Sequence, residues 1–405
     1  MSWLLHRTEL TPEQLRIVEM SPESHRLILG PPGSGKTQVL IHRAAFLAKN
    51  YNSKPERFKV LVFTNVIKEY IRSGIKYLDI PEYSVCTFDR LCLDMYQSNI
   101  SRSIPKKNGK PDFGKVQSSV LSLVKMSPKI QRSQDFILVD EGQDLVPEAH
   151  EMIYLIANHV SVFADPQQKI FEDGASEDNI LSSLRIPNRS ISLLGAYRNS
   201  PYVSQLAACF ISDPAARQKY LSQMHTVQKV RERPLLFKAL SYEEETDRLV
   251  EVIRARMMLS ERIGIFVPTN RHVHGLAKGL KELGIEVEKA VKRGEYDFDN
   301  ACPKIATYHQ AKGLTFDTVI LPRLVNSGFG RLNQSVRQKI LFVGIARATQ
   351  WVYMSTVQGQ EISELDVLGK AENKNVIEIQ TGVAAGNTQR GLWDDVDSSD
   401  DYSIL

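Results

Sequence analysis

Two groups of residues in this chain have the types and the spacing to do chemistry. The first is Gly30-Pro31-Pro32-Gly33-Ser34-Gly35-Lys36-Thr37, the single match in the chain to the spacing G-x-x-x-x-G-K-[ST]. Glycines at these positions let backbone N–H groups turn toward an anion, the lysine reaches the β- and γ-phosphates, and the hydroxyl offers one oxygen to Mg2+. The second is Asp140-Glu141-Gly142-Gln143-Asp144, two adjacent carboxylates at the end of the apolar run Asp135–Val139. Beside a bound triphosphate such a pair divides the work: Asp140 holds Mg2+ and Glu141 orients and deprotonates the attacking water. Taken singly, the motifs also fit a glycine-rich turn and an acidic helix cap. Together they predict a nucleoside triphosphate site.

The elements around these residues must deliver them to one place. Arg26–Leu29 reads as a buried strand entering the glycine loop, and a helix begins at Gln38 and runs through Leu47. Further buried-strand patterns lie at Phe58–Phe63, Ser84–Phe88, Asp135–Val139 and Val160–Ala164. Parallel sheets bind ligands at the carboxyl ends of their strands, which marks Thr64, Asn65, Thr87 and the segment Asp165–Gln168. A second alternating set follows: Leu235–Leu240, a helix near 243–257, Ile263–Val267, a helix near 271–283, Lys304–Thr307, Thr318–Leu321, a helix near 336–348 and Trp351–Ser355. Alternation of strand and helix predicts two α/β domains with parallel sheets, residues 1–190 and 191–382. Upstream, Thr11, Pro12 and Gln14 fit a helix capping box, and Gln14 fits a reader of an adenine edge equally well.

Composition sets outer bounds. With 42% hydrophobic and 24% charged residues, 405 residues suit a globular protein of two or three domains. No apolar run approaches the ~20 residues of a membrane span, and the N-terminus lacks the pattern of a secretory signal. Four cysteines without a CxxC pair fit core thiols of a reducing cytoplasm. Beyond Leu392 lie five aspartates, without which the formal charge of +4 becomes +9. That body charge is compatible with nucleic acid as a partner, and the acidic segment 383–405 reads as a disordered tail or a docking site for a protein partner. The polar segment 101–116, with Lys106, Lys107 and Lys110, reads as a surface loop.

The order of these motifs resembles the UvrD/Rep-like branch of superfamily 1 helicases, from Leu10 to about Ser355. Leu10–Gln14 looks like the Q motif and Gly30–Thr37 like motif I. Phe63-Thr64-Asn65 and Thr87-Phe88 resemble motifs Ia and Ib, which contact single-stranded nucleic acid in that family. Asp140–Asp144 is similar to motif II, Asp165 with Gln168 to motif III, and Tyr197-Arg198 to motif IV. Thr307-Tyr308-His309-Gln310-Ala311-Lys312-Gly313-Leu314 is similar to motif V, and Leu341–Ala348 to motif VI with its arginine finger at Arg347.

The resemblance implies two RecA-like P-loop NTPase domains with ATP and Mg2+ at their interface. It implies catalytic roles for Lys36, Asp140, Glu141, Gln168, Arg198 and Arg347, nucleotide contacts from Gln14, Tyr197 and Gly313, and strand contacts from Thr307 and His309 besides motifs Ia and Ib. The function it implies is an ATP-hydrolysing translocase or helicase on nucleic acid, single-stranded DNA favoured over RNA. The alternative is a nucleic-acid-stimulated ATPase that regulates an effector such as a nuclease complex without unwinding. Three positions depart from the family pattern: after Phe171 the acidic pair Glu172-Asp173 replaces the motif III stacking platform, Thr315 stands where motif V has glutamate, and Asp89 where motif Ib has histidine. The usual accessory insertions are expected to be absent or vestigial.

Overall fold

The computed structural model describes residues 4–382 except 76–77, 169–173, 188–190, 193–198, 225–231, 291–297, 299, 301 and 331. Tyr197, Arg198, Phe171–Asp173 and the acidic segment 383–405 therefore lie outside the described residues. The chain divides into two compact units, Met1–Arg198 with Gln223–His225 and Asn199–Ser222 with Thr226–Leu405.

The first unit runs α1 (Pro12–Val18), β1 (Arg26–Leu29), α2 (Lys36–Asn50), β2 (Phe58–Val62), α3 (Asn65–Ile75), β3 (Val85–Thr87) and α4 (Phe88–Asn99). It continues through a small hairpin, β4 (Lys106–Lys107) and β5 (Lys110–Pro111), to α5 (Phe113–Met126), β6 (Gln134–Val139), α6 (Pro147–Ile156), β7 (Ala157–Ala164), α7 (Glu177–Ser183) and β8 (Ile191–Ser192). Six strands form one parallel sheet in the order β3-β2-β6-β7-β1-β8. Alternation along the strands decides what covers each face. Val60, Val62, Leu138 and Phe163 join one core cluster with Val39, Leu40 and Ile67 of α2 and α3. Leu61, Ile137, Val139, Val160 and Val162 join another with Leu91, Val116 and Ile153 of α4, α5 and α6. The sheet is thus buried on both faces, which is why its strands read as continuous apolar runs.

The second unit carries α8 (Pro201–Ala208), α9 (Pro214–Ser222), β9 (Leu235–Ala239), α10 (Tyr242–Met258), β10 (Ile263–Val267), α11 (Asn270–Glu282) and β11 (Glu288–Lys289). Then come β12 (Lys304–Thr307), β13 (Phe316–Leu321), α12 (Asn326–Phe329), α13 (Gln334–Ile345), β14 (Ala348–Val357), α14 (Leu368–Glu372) and β15 (Glu378–Thr381). Its seven described strands are also parallel, ordered β11-β12-β10-β13-β14-β9-β15. The fold class is α/β with two RecA-like parallel-sheet units, as the alternating pattern predicts.

Three local expectations need correction. The first unit extends past the boundary at 190, because β8 hydrogen-bonds to β1 in the first sheet. Residues 101–116 are not one loop: they hold the β4–β5 hairpin and the start of α5, which Asp112 caps by accepting from the Lys115 N–H. The strand expected over 84–88 ends at Thr87, and Phe88 opens α4 with its ring buried.

Candidate functional site

Because the first sheet is parallel, the loops after β1, β2, β3, β6 and β7 all emerge at one edge. Those loops carry Gly30–Thr37, Phe63–Asn65, Thr87, Asp140–Asp144 and Asp165–Gln168, so one strand edge collects every described first-unit candidate except Gln14 and Phe88.

The glycine loop is shaped by its two left-handed residues. Gly33 and Gly35 sit at φ +79° and +87°, a region costly to residues with a Cβ. Gly35 is the N-cap of α2, and no side chain caps that helix. Its first-turn N–H groups and the positive end of its dipole therefore face the loop, the geometry that suits a phosphate. Lys36 is buried, its Nζ donating to the carbonyls of Gly30 (2.8 Å) and Pro31 (3.2 Å), with Asp165 Oδ2 at 4.0 Å. Gln14 serves both as cap and as brace. Its Oε1 accepts from Thr11 N–H, and its Nε2 donates to Ser34 O at 2.9 Å.

The acidic residues join the same network. Thr37 Oγ1 donates to Asp140 Oδ2 at 3.0 Å. Burial, and next the neighbouring Glu141 charge, push Asp140 up to about 7, against the pull of the Thr37 hydrogen bond and of Lys36. Two adjacent carboxylates buried beside a hydroxyl are a donor set that fits a divalent cation, so Thr37 and Asp140 are the residues suited to hold Mg2+. Glu141 itself adopts φ +51°, ψ +45°, an outlier conformation for a non-glycine residue of the kind concentrated at working sites. Gln143 Nε2 donates to Glu141 Oε2 at 2.7 Å, while Gln143 Oε1 accepts from Asp165 N–H at 3.0 Å. Gln168 Nε2 donates to Asp165 Oδ2 at 2.6 Å. Motif spacing alone did not mark Gln143 as the link between Glu141 and Asp165. Behind it, Gly142 leaves no room for a Cβ, which would fall 2.2 Å from Val162 Cγ1. His150 Nε2 meets the Gly142 carbonyl at 2.8 Å.

The residues expected to contact a strand are placed less uniformly. Thr64 Oγ1 accepts from the Ile67 N–H and Thr87 Oγ1 from the Arg90 N–H, so both hydroxyls serve as helix caps. Asn65 is the first residue of α3. Phe63 is partly buried against the core, and Phe88 lies inside it, 6% exposed. The Phe88 ring is therefore a packing residue rather than a base platform, because the amphipathic α4 turns it inward.

In the second unit, Thr307 pairs with Val267 at the carboxyl end of β10 and β12. Its hydroxyl donates to Gln310 Oε1, whose amide donates in turn to the Ala290 carbonyl. Arg347 lies at the opposite edge, where its carbonyl accepts from Phe316 N–H at the start of β13. Its side chain is buried, Nε donating to Val343 O at 3.2 Å. The segment 308–315 crosses from one edge to the other, with Lys312 fully buried and Gly313 at φ +79°. Burial lowers His309 below the usual histidine range, with Lys312 adding to it. Gly344 of α13 makes room for the Tyr308 ring, whose Cε1 would lie 2.9 Å from a Cβ there.

Comparison with known proteins adds to this geometry. Residues 10–108 match the family model described as the UvrD/REP helicase N-terminal domain, and residues 292–359 the UvrD-like helicase C-terminal domain. The mitochondrial ATP-dependent DNA helicase HMI1 of Saccharomyces cerevisiae is 26% identical over 375 residues, covering 69% of this chain and 53% of that protein. A probable DNA helicase II homolog of Mycoplasma capricolum subsp. capricolum is 23% identical over 301 residues, 52% of this chain and 42% of that one. The ATP-dependent DNA helicase srs2 of Schizosaccharomyces pombe is 22% identical over 268 residues, 63% and 30%. The chain spans about half the length, or less, of these curated relatives.

Proposed function

This chain belongs to the UvrD/Rep-like DNA helicase family, and on that premise we propose that it is an ATP-dependent motor moving along single-stranded nucleic acid, with DNA as the favoured track. The observation that carries the reading is the continuous network Thr37–Asp140–Glu141–Gln143–Asp165–Gln168 at the strand edge beside the glycine loop. It ties phosphate-binding, metal-binding and water-activating groups into one unit.

In this reading the α2 N-terminus and Lys36 bind the phosphates, and Gln14 steadies the loop while facing the base. Thr37 and Asp140 would hold Mg2+, which would supply positive charge to the phosphates. Glu141 accepts the proton of the attacking water, and its strained backbone with the Gln143 hydrogen bond fixes the carboxylate's direction. Arg347, at the family's arginine-finger position, and Arg198, at its motif IV arginine, neutralise charge on the transferred phosphoryl group. Tyr197 stacks on the base. Gln168 and His309 couple the nucleotide state to the strand, and Thr307 contacts it. Phe63, Thr64, Asn65 and Thr87 line the strand path through backbone and polar groups. The four cysteines are free thiols, in keeping with a reducing compartment such as the cytoplasm.

The test is displacement of streptavidin from the end of a biotinylated single-stranded oligonucleotide. ATP-dependent displacement from one end supports the motor. Strand-stimulated hydrolysis without displacement from either end overturns movement and leaves an ATPase only.

A further inference from the structure

Segment 101–119 holds five basic residues, Arg102, Lys106, Lys107, Lys110 and Lys115, against one acid, Asp112. All five are exposed. Far from being a loose loop, the middle of this segment is a built hairpin. Asn108 and Gly109 take φ +51° and +78°, the pattern of a two-residue turn matched to strand twist. The turn tip is open, with nothing within 4 Å of the position where a Gly109 Cβ would stand. Asp112 N–H closes the base on Pro105 O at 2.8 Å, and Ile104 packs against the core cluster of Leu91, Cys92 and Val116.

The hairpin's address matters as much as its charge. Gln117, in the second turn of α5, donates to Asp89 in the first turn of α4 at 2.8 Å. Both helices therefore begin side by side, and α4 begins at Phe88, capped by Thr87 at the edge of the sheet that carries the other candidate residues. The hairpin leads through Asp112 directly into α5, whose N-terminal part is held to that of α4 by the Gln117–Asp89 bond. Lys107 lies directly across from Lys110 in the hairpin register. Like charges facing each other across strands cost stability, and no ion pair engages Lys106, Lys107 or Lys110 among the described residues. A polyanion relieves that repulsion.

We propose that the Lys106–Lys107–Lys110 hairpin binds the phosphate backbone of a single strand of nucleic acid, lengthening the strand path beyond Thr87. The lysines read charge and spacing rather than sequence. The proposal rests on the reading of this chain as a nucleic-acid motor.

The experiment is a salt titration of binding to fluorescein-labelled oligo(dT) and oligo(U), comparing wild type with Lys106→Ala/Lys107→Ala/Lys110→Ala. Each phosphate contact to a single strand contributes about 0.7 to the slope of log affinity against log salt. The triple variant is expected to lose about 2 from that slope and to bind about tenfold or more weakly at low salt. Its hydrolysis without nucleic acid should stay unchanged. A control variant, Lys54→Ala/Lys370→Ala/Lys374→Ala, removes the same charge from other exposed positions and should keep the wild-type slope. An unchanged slope in the hairpin variant, or an equal loss in the control, overturns the hairpin's role while the motor reading stands. Wild type that binds neither probe overturns both.

Discussion

Thr37 donates its hydroxyl to Asp140 at 3.0 Å although 103 residues separate them in the chain. The strands that deliver them, β1 and β6, are not neighbours, because β7 runs between them. The contact is made beyond the strand ends, where a parallel sheet opens its crevice. Asp165, which follows β7, closes the same space through Gln143 and lies near Lys36. Three separate loops thus converge on one carboxylate-rich site, and each can be tested at a single residue.

Glu141→Gln keeps the shape and the oxygen that accepts from Gln143 but removes the base. Turnover should fall about 10²-fold or more, with ATP binding retained in a fluorescent-nucleotide titration. Undiminished turnover would contradict the assignment of Glu141.

Arg347→Ala should reduce turnover by about 10³-fold with little change in nucleotide affinity, as loss of an arginine finger does. Steady-state hydrolysis at saturating ATP measures it. A loss below about tenfold would remove Arg347 from that role.

Gly35→Ala places a Cβ at φ +87° and 2.5 Å from Gln14 Nε2. The backbone strain alone is about 1–2 kcal/mol, so urea unfolding should show a loss of that size or larger. Nucleotide affinity should drop with it, since Gln14 must release its hold on Ser34 O. Gln14→Ala in the same background should relieve the clash but not the φ strain.

Stability toward acid has a definite sign at His150. Burial holds it down to about 4, the hydrogen bond it donates to the Gly142 carbonyl opposing only in part. The unfolded chain therefore takes up a proton that the fold refuses, and stability is full above about 6.5 and declines as pH falls toward 4. The limiting slope is about 1.4 kcal/mol per pH unit. Asp140, pushed up to about 7, works with the opposite sign over part of the same window. His150→Gln, which still has a donor for Gly142 O, isolates the histidine contribution. Urea midpoints should fall less steeply between pH 6.5 and 5 in the variant than in wild type. Equal slopes would contradict the account.

Buried parallel strands were the most legible feature of the sequence. Ile263–Val267 and Lys304–Thr307 match the structure residue for residue; the first is a continuous apolar run because both its faces are covered, and the second keeps an apolar Ile305-Ala306 centre between buried polar ends. The glycine loop and the acidic pair stand out in the sequence because the chemistry proposed for them restricts residue type. Helix α5 was not, since three serines dilute its apolar stripe to Val116, Val120 and Val124. Its four-residue spacing is the signal that would have found it. Thr64 and Thr87 read as ligand contacts from their position at strand ends, where a helix cap needs the same residue type. The bridge through Gln143 depends on two strand ends meeting in space, which no local pattern encodes.

The most direct test of the central claim is steady-state ATP hydrolysis by the purified chain, with and without single-stranded DNA and RNA of equal length. The account predicts Mg2+-dependent hydrolysis that a single strand stimulates strongly, DNA more than RNA, and that Glu141→Gln abolishes. Hydrolysis indifferent to both strands would contradict the motor and favour an ATPase regulating a protein effector. No hydrolysis at all would contradict the site itself.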